Sequence, residues 1–199
     1  MSGARTLILV RHGQSTGNAA GEFSGARDVP LTMLGREQAR TAGRHLSERG
    51  LRPGAVFCST RSRTRESADL ILEAVGRPGQ DVVEAAALDE RDYGALTGLT
   101  HRAAEARWGA VPSRSPRPRA RAYGTRWRAW PPITSRGSNP PAMRGVAMVV
   151  AHGNSLRALV AAIEGLTPDA IEALELPTGS VRLYQLAADT TIEASETLT

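Results

Sequence analysis

Twice in this chain a short apolar run of strand type empties into a His-Gly pair followed by a helix-capping Ser. Leu7 to Val10 leads into Arg11-His12-Gly13-Gln14-Ser15, and Val146 to Val150 leads into Ala151-His152-Gly153-Asn154-Ser155. A β-rich run closed by Gly and a capping Ser reads as a buried strand, a turn and a helix start. Each His is therefore expected at a strand's carboxyl end, the edge where open α/β sheets bind ligands. A lone His in such a place is ordinarily a satisfied imidazole. Two in matching contexts say more. The Gly beside each lets backbone approach a ligand, and Arg11 sets a planar fork of donors next to His12, a combination suited to phosphate.

The intervening pattern completes a sheet. Thr32 opens a helical stretch with Leu34, Ala39, Ala42 and Leu46 on its apolar face and Gly50 as its stop. Ala55 to Cys58 reads as a second strand. Ser62 is expected to cap a helix carrying Ala68, Leu70, Ile71, Leu72 and Val75 and ended by Gly76, after which Pro78-Gly79 turns the chain into a strand at Val82-Val83. Further on, Leu156 to Leu166 forms a helix, Thr167-Pro168-Asp169 is an N-cap and first turn, and Val181 to Leu186 alternates as a last strand. This order predicts one α/β domain over residues 1–199, an αβα sandwich in three layers with a mostly parallel sheet.

Composition narrows the setting. No stretch is long and apolar enough to span a membrane, and Met1-Ser2-Gly3 runs straight toward a strand without a signal-peptide pattern, so a cytoplasmic protein is expected. The single Cys58 excludes an intramolecular disulfide and argues against a thiolate metal cluster. All 25 basic residues are arginine and the formal charge is +5. The excess is local: no Asp or Glu occurs between Glu105 and Glu164, an interval holding ten arginines, and outside it the chain is net acidic.

For chemistry, a neutral His with one ring nitrogen held and the other open can attack a phosphoryl group if cations take up the spreading charge. His12 and Arg11 have that composition. One of Arg61, Arg63 and Arg65, after the strand ending at Cys58, is expected to face the same phosphate. Transfer to or from an alcohol also needs a group that gives and takes a proton. In Leu88-Asp89-Glu90-Arg91-Asp92-Tyr93-Gly94 the candidate is Glu90, whose ordinary alternative is an ion pair with Arg91.

These residues resemble the histidine phosphatase superfamily and, within it, the cofactor-dependent phosphoglycerate mutases. Arg11 to Ser15 with Asn18, Phe23, Gly25, Asp28 and Leu31-Thr32 to Gly35 is similar to the family's opening motif. Ser59 to Arg63 resembles its second phosphate segment, Glu90 to Gly94 with Leu96 and Gly98 its mutase-specific segment, and His152 to Leu159 with Pro177-Thr178-Gly179 its closing one. The resemblance implies a phosphoglycerate mutase-like fold and interconversion of 2-phosphoglycerate and 3-phosphoglycerate in glycolysis and gluconeogenesis. It implies a phosphohistidine on His12, 2,3-bisphosphoglycerate as phosphoryl primer, no metal, and a homo-oligomer. Among the site residues it implies, Arg11, Arg63 and His152 hold the phosphoryl group and Glu90 moves the proton. Asn18, Ser24, Gly25, Arg91, Tyr93, His101, Gly153 and Asn154 join Arg11, Arg63 and Glu90 in binding substrate. Gly17 and Ala26 stand where the family usually has Trp, Gly21 where it has Asn, and His101 where it has Lys. A histidine carries less charge than a lysine at neutral pH, so His101 would hold an anion more weakly.

One segment departs from this pattern. Residues 111–141 contain seven prolines, many arginines and no helix or strand period, where the family carries an Arg-Arg pair, a Gly-Glu-Ser-Leu-x-Asp-Thr run and a helix. Back-translated with GC-rich codons and read one base earlier, Arg117 to Thr134 becomes Pro-Pro-Pro-Gly-Glu-Ser-Leu-Arg-Asp-Thr-Leu-Ala-Arg-Val-Ala-Pro-Tyr-Tyr. The segment therefore reads as a frameshift restored near Ala142, and weakened or absent mutase turnover is expected from it. Two other functions compete: a phosphomonoesterase of the same fold, with water as acceptor, and a nucleic-acid-binding module using Arg114 to Arg136 with Tyr123, Trp127 and Trp130. Nucleic acid is the less favoured partner, since charge runs are usually solvated.

Overall fold

The first strand, β1 (Arg5–Arg11), sends Ile8 and Val10 into one hydrophobic core and Leu7 and Leu9 into another. Both of its faces are covered, which is why the run is continuously apolar instead of alternating. The structure is a computed structural model and describes residues 5–109, 145–187, 189 and 191–198. The frameshift reading of 111–141 and the Arg114 to Arg136 segment lie outside the described residues.

After β1 come α1 (Thr16–Ala19), α2 (Met33–Glu48), β2 (Ala55–Cys58), α3 (Ser62–Ala74), β3 (Val82–Glu84) and α4 (His101–Trp108). Next are β4 (Val146–Ala151), α5 (Gly153–Glu164), α6 (Pro168–Ala173), β5 (Val181–Leu186) and β6 (Ile192–Leu198). The six strands form one sheet in the order β3-β2-β4-β1-β5-β6. β1 to β4 pair in parallel, β5 lies antiparallel to β1, and β6 antiparallel to β5. Helices α2 and α3 supply one core through Ala39, Ala42, Leu46, Ala68, Ile71 and Leu72. On the opposite face α5 supplies Leu156, Leu159 and Val160, so the expected three layers are present.

The connections position the site. From β1 the chain passes through α2 to β2, beyond β4, whereas from the adjacent β4 it passes through α5 and α6 to β5 on the other side. Two neighbouring parallel strands whose chains leave in opposite directions over opposite faces open a crevice at their carboxyl ends. The register pairs Arg11 with Ala151, so His12 and His152 emerge side by side.

Five local expectations are corrected. Leu34 is 54% exposed, because the stripe that α2 buries is Gly35, Ala39, Ala42, Gly43 and Leu46, and Leu34 falls beside it. Ser62 is the first residue of α3, not its cap. The N-cap is Arg61, and the Ser62 N–H donates across the fold to Asp28 Oδ1 at 2.9 Å. Helix α5 runs Gly153–Glu164: its N-cap is His152, so Ser155 lies inside the helix and does not cap it, and Gly165 turns left-handed (φ 66°) and ends it before Leu166. Val181 to Leu186 is not the last strand: β6 follows on the sheet edge, exposed over most of its length and without apolar alternation.

Candidate active site

His12 follows β1 and His152 follows β4, and their ring centres are 5.0 Å apart in an edge-on contact. His12 Nδ1 lies 2.6 Å from the Gly13 carbonyl oxygen. A carbonyl only accepts, so Nδ1 carries the proton and Nε2 keeps the lone pair. Burial, with the charges of Arg63 and Arg11 beside it, pushes the His12 pKa down to about 3. The imidazole is neutral at physiological pH, the form a nucleophile requires. His152 is fully buried, and burial, His12 and the nearby arginines hold its pKa well below the ordinary histidine value.

The two glycines act differently from the expectation that both admit a ligand. A Cβ on Gly13 would lie 2.0 Å from the Gly35 carbonyl oxygen, and one on Gly35 would lie 2.0 Å from that of Gln14. Gly13 thus lets the turn after β1 close against the start of α2. Gly153 faces cations instead: its Cβ would meet Arg11 Cζ at 3.4 Å and Arg157 Nη1 at 3.6 Å.

A cavity of about 310 Å³ opens at this edge of the sheet. Arg11, His12, Asn18, Ser24, Gly25 and Arg63 line it from the first half of the chain, and Glu90, Tyr93, His101, Gly153 and Asn154 from the rest. Arg63, 1% exposed, donates to the Arg27 and Gly25 carbonyls at 2.9 and 3.2 Å. Arg61 and Arg65 turn to carboxylates, Asp89 for the first and Asp69 with Glu84 for the second. Arg11 donates to the Leu176 carbonyl at 2.5 Å. Asn18 closes a capping box with Ser15 at the start of α1. The Ser24 hydroxyl, buried in the wall, has no hydrogen-bond partner among the described residues. His101 begins α4 and sets its ring edge against Phe23, 4.4 Å between centres.

The loop after β3 brings the acidic group. Glu90 Oε1 accepts the Arg91 N–H at 2.9 Å. Asp89 accepts from the Thr60 N–H at 2.8 Å and Ser155 donates to the Asp89 carbonyl at 2.8 Å, which ties this loop to both neighbouring strand ends. Asn154 donates to the Tyr93 hydroxyl at 2.8 Å, and burial with the negative charge of Glu90 pushes that phenol's pKa up to about 12. Two residues named from the sequence do not line the cavity. Arg91 lies over the Tyr93 ring, its Cζ 4.6 Å from the centre, and His152 packs against His12.

The sequence reading omitted several residues of the site. Phe23 and Arg157 line the cavity, and Arg157 is held by the Leu174 carbonyl at 2.9 Å. Both stand in quoted motifs, and the Gly153-to-Arg157 spacing on a helix was the available signal for Arg157. Ser59, Thr64 and Ser67 support the two histidines from beneath, and nothing in the sequence separates them from ordinary capping residues. Among the described residues no three His, Cys, Asp or Glu side chains gather in a group that could hold a metal ion. No helix there is long and apolar enough to cross a membrane.

The pattern defining the histidine phosphatase superfamily (branch 1) matches residues 7–195. A 2,3-bisphosphoglycerate-dependent phosphoglycerate mutase from Methylobacterium sp. (strain 4-46) is 44% identical over 98% of this chain and 97% of its own. A protein of the same name from Chelativorans sp. (strain BNC1) is 42% identical over 100% of this chain and 99% of its own. Among solved structures, a mycobacterial glucosyl-3-phosphoglycerate phosphatase superposes with a TM-score of 0.69 at 27% identity, covering 91% of this chain and 92% of that one. The chain belongs to branch 1 of the histidine phosphatase superfamily, with relatives named 2,3-bisphosphoglycerate-dependent phosphoglycerate mutase.

Proposed function

We propose that this single-domain protein is a 2,3-bisphosphoglycerate-dependent phosphoglycerate mutase, interconverting 2- and 3-phosphoglycerate through a phosphohistidine on His12. The observation that carries the reading is a neutral His12, its Nδ1–H spent on Gly13, sharing one cavity with Arg11, Arg63 and the Glu90 carboxylate. The names of relatives identical at 44% and 42% over nearly the whole chain supply the substrate.

The chain's residues account for each step. His12 Nε2 attacks phosphorus, and the bond from phosphorus to the sugar-acid oxygen breaks as Glu90 gives that oxygen a proton. In the reverse sense a free hydroxyl gives its proton to Glu90 and attacks the phosphoryl group on His12. Arg11 and Arg63 hold the equatorial oxygens, whose charge grows in the transition state. Their carbonyl bonds keep both guanidiniums in place beforehand. Asn154 orients Tyr93 at the cavity wall.

The residues also fit an anionic primer with two phosphates. Cations line the wall, and the buried Ser24 hydroxyl has no hydrogen-bond partner among the described residues. When bound, 2,3-bisphosphoglycerate supplies the phosphoryl group that loads His12. A cytoplasmic, glycolytic setting and a homo-oligomeric state go with this reading.

The test is incubation with 2,3-bisphosphoglycerate, followed by an assay for acid-labile, base-stable phosphate on His12 and by isomerisation of 3-phosphoglycerate. Acid-labile phosphate together with isomerisation is the expected result for an intact mutase. Labelled His12 without isomerisation, but with phosphate release from a simple monoester, would make the chain a phosphomonoesterase. Folded protein with no phosphohistidine would overturn both.

A further inference from the structure

Below His152 runs a chain of short contacts that favours one placement of its proton. His152 Nε2 is 2.8 Å from Ser59 Oγ, Ser59 Oγ is 2.7 Å from Thr64 Oγ1, and Thr64 Oγ1 is 2.7 Å from the Arg61 carbonyl oxygen. The carbonyl has no proton, so Thr64 donates to it. Thr64 then has none to give Ser59, so Ser59 donates to Thr64. Ser59 in turn has none left for the ring, so the proton in the last contact belongs to His152 Nε2. The Arg61 N–H donating to Ser59 Oγ at 3.2 Å agrees with Ser59 as an acceptor on that side.

Nδ1 of His152 therefore carries a bare lone pair. That atom is buried and has no hydrogen-bond partner among the described residues. A buried acceptor left unpaired is destabilising, and such an atom calls for an explanation. The ring that carries it stands edge-on to the ring of the phosphoryl acceptor, His12, 5.0 Å between centres. Its titratable neighbours are the neutral His12 and the charged Arg11 from the β1 end, and the charged Arg63 and Arg61 from α3 and its cap. Beyond them Glu90 faces Arg63, and Asp89 pairs with Arg61. The nearest charges are thus arginines, which oppose a proton on His152 until an anion offsets them.

We propose that Ser59 and Thr64 are positioning residues for phosphoryl transfer: they hold His152 as the Nε2–H tautomer with Nδ1 open, so that a phosphoryl group arriving at His12 draws one proton onto Nδ1. The balance is simple. Neutral His152 and one proton from solvent become an imidazolium whose Nδ1–H donates to a phosphoryl oxygen, and no bond to phosphorus is made or broken in that step. The proposal rests on reading His12 and His152 as the phosphoryl-binding pair.

The experiment is nitrogen-15 NMR of histidine-labelled protein, alone and saturated with inorganic phosphate, at mildly alkaline pH. The expected result is an Nε2–H tautomer at His152 alone and an imidazolium with phosphate. Thr64→Val, equal in shape but without the hydroxyl, should mix the tautomers, move the pH profile of turnover and lower kcat about tenfold at little change in KM. Thr64→Ser should restore all three. An Nδ1–H tautomer in the unaltered protein, no proton uptake with phosphate, or a Thr64→Val protein matching the unaltered one in tautomer and pH profile would overturn the proposal. If Thr64→Val does not fold, the spectra of the unaltered protein and of Thr64→Ser still decide it. The tautomer present with no phosphohistidine on His12 would instead remove the transfer reading.

Discussion

At the end of β1, His12 gives its Nδ1–H to its own neighbour's carbonyl at 2.6 Å; at the end of β4, His152 spends Nε2 on Ser59, a side chain from another strand, at 2.8 Å. The two ends share the same His-Gly-x-Ser pattern, yet the open nitrogen is Nε2 in one and Nδ1 in the other. The glycines part in the same way, Gly13 packed on backbone and Gly153 facing arginines. The first histidine ring is fixed by its own local backbone and the second by a side chain from across the fold. A doubled motif can therefore supply two different chemical parts, a nucleophile and a group that answers the phosphoryl charge.

The largest effect should separate the two histidines. His12→Asn removes the nucleophile and is expected to lower mutase turnover by about 10⁴-fold or more, with no acid-labile phosphate. His152→Asn leaves the nucleophile and should cost about 10²–10³-fold, with His12 still labelled, more slowly. Equal losses in single-turnover labelling would break the distinction.

The glycines come next. Gly13→Ala drives a methyl to 2.0 Å from the Gly35 carbonyl, which only a backbone shift relieves, and should cost about 3 kcal/mol in urea unfolding. Gly153→Ala meets the far end of Arg11 at 3.4 Å. It should cost less than about 1 kcal/mol and show itself mainly in KM. A Gly13→Ala protein as stable as the parent would mean that the turn after β1 is looser than it stands here.

Acid tests the two buried histidines directly. His12 has a pKa near the ordinary 6.5 when unfolded and about 3 when folded. Below 6.5 the unfolded chain takes up a proton that the folded protein refuses, so stability is full above that pH and falls steadily toward pH 3. His152 shifts the same way. His12 contributes a loss of about 1.4 kcal/mol per pH unit across this window, and His152 adds to it in the same direction. Denaturation over a pH series should show His12→Asn with a shallower slope by one histidine's share. An unchanged slope would place the His12 proton equilibrium elsewhere.

How much of this was legible in the chain follows the same division. The β1 end was readable because its contacts are local: strand, turn, cap at Ser15 and helix start at Thr32 all announce themselves within one stretch. The layering also followed from the continuous apolar runs in β1 and β4. The hydroxyl chain under His152 was not readable. Ser59 and Thr64 reach it only because β2 lies beside β4, with Cys58 opposite Val150, and strand adjacency is set by the packed sheet. β6 escaped for another reason. Ile-Glu-Ala-Ser-Glu-Thr-Leu on an exposed edge has one face to cover and little apolar pattern to show.

The smallest contrast lies in the serine that ties each end down. Ser67 accepts the Gly13 N–H at 3.1 Å and donates to the Arg63 carbonyl at 2.7 Å, both in the interior. Ser155 donates to the Asp89 carbonyl at 2.8 Å in a partly buried place. Ser67→Ala strands a buried N–H beside the carbonyl that fixes His12, and should cost about 1–3 kcal/mol. It should also lower the rate of His12 labelling, since Gly13 is then free to turn. Ser155→Ala leaves an acceptor that water can reach, so about 1 kcal/mol or less is expected, with labelling unchanged and only the Glu90 loop loosened. Urea unfolding and single-turnover labelling of the two variants decide it. If Ser155→Ala proves the costlier, the β4 end, and not the β1 end, is the more rigidly tied.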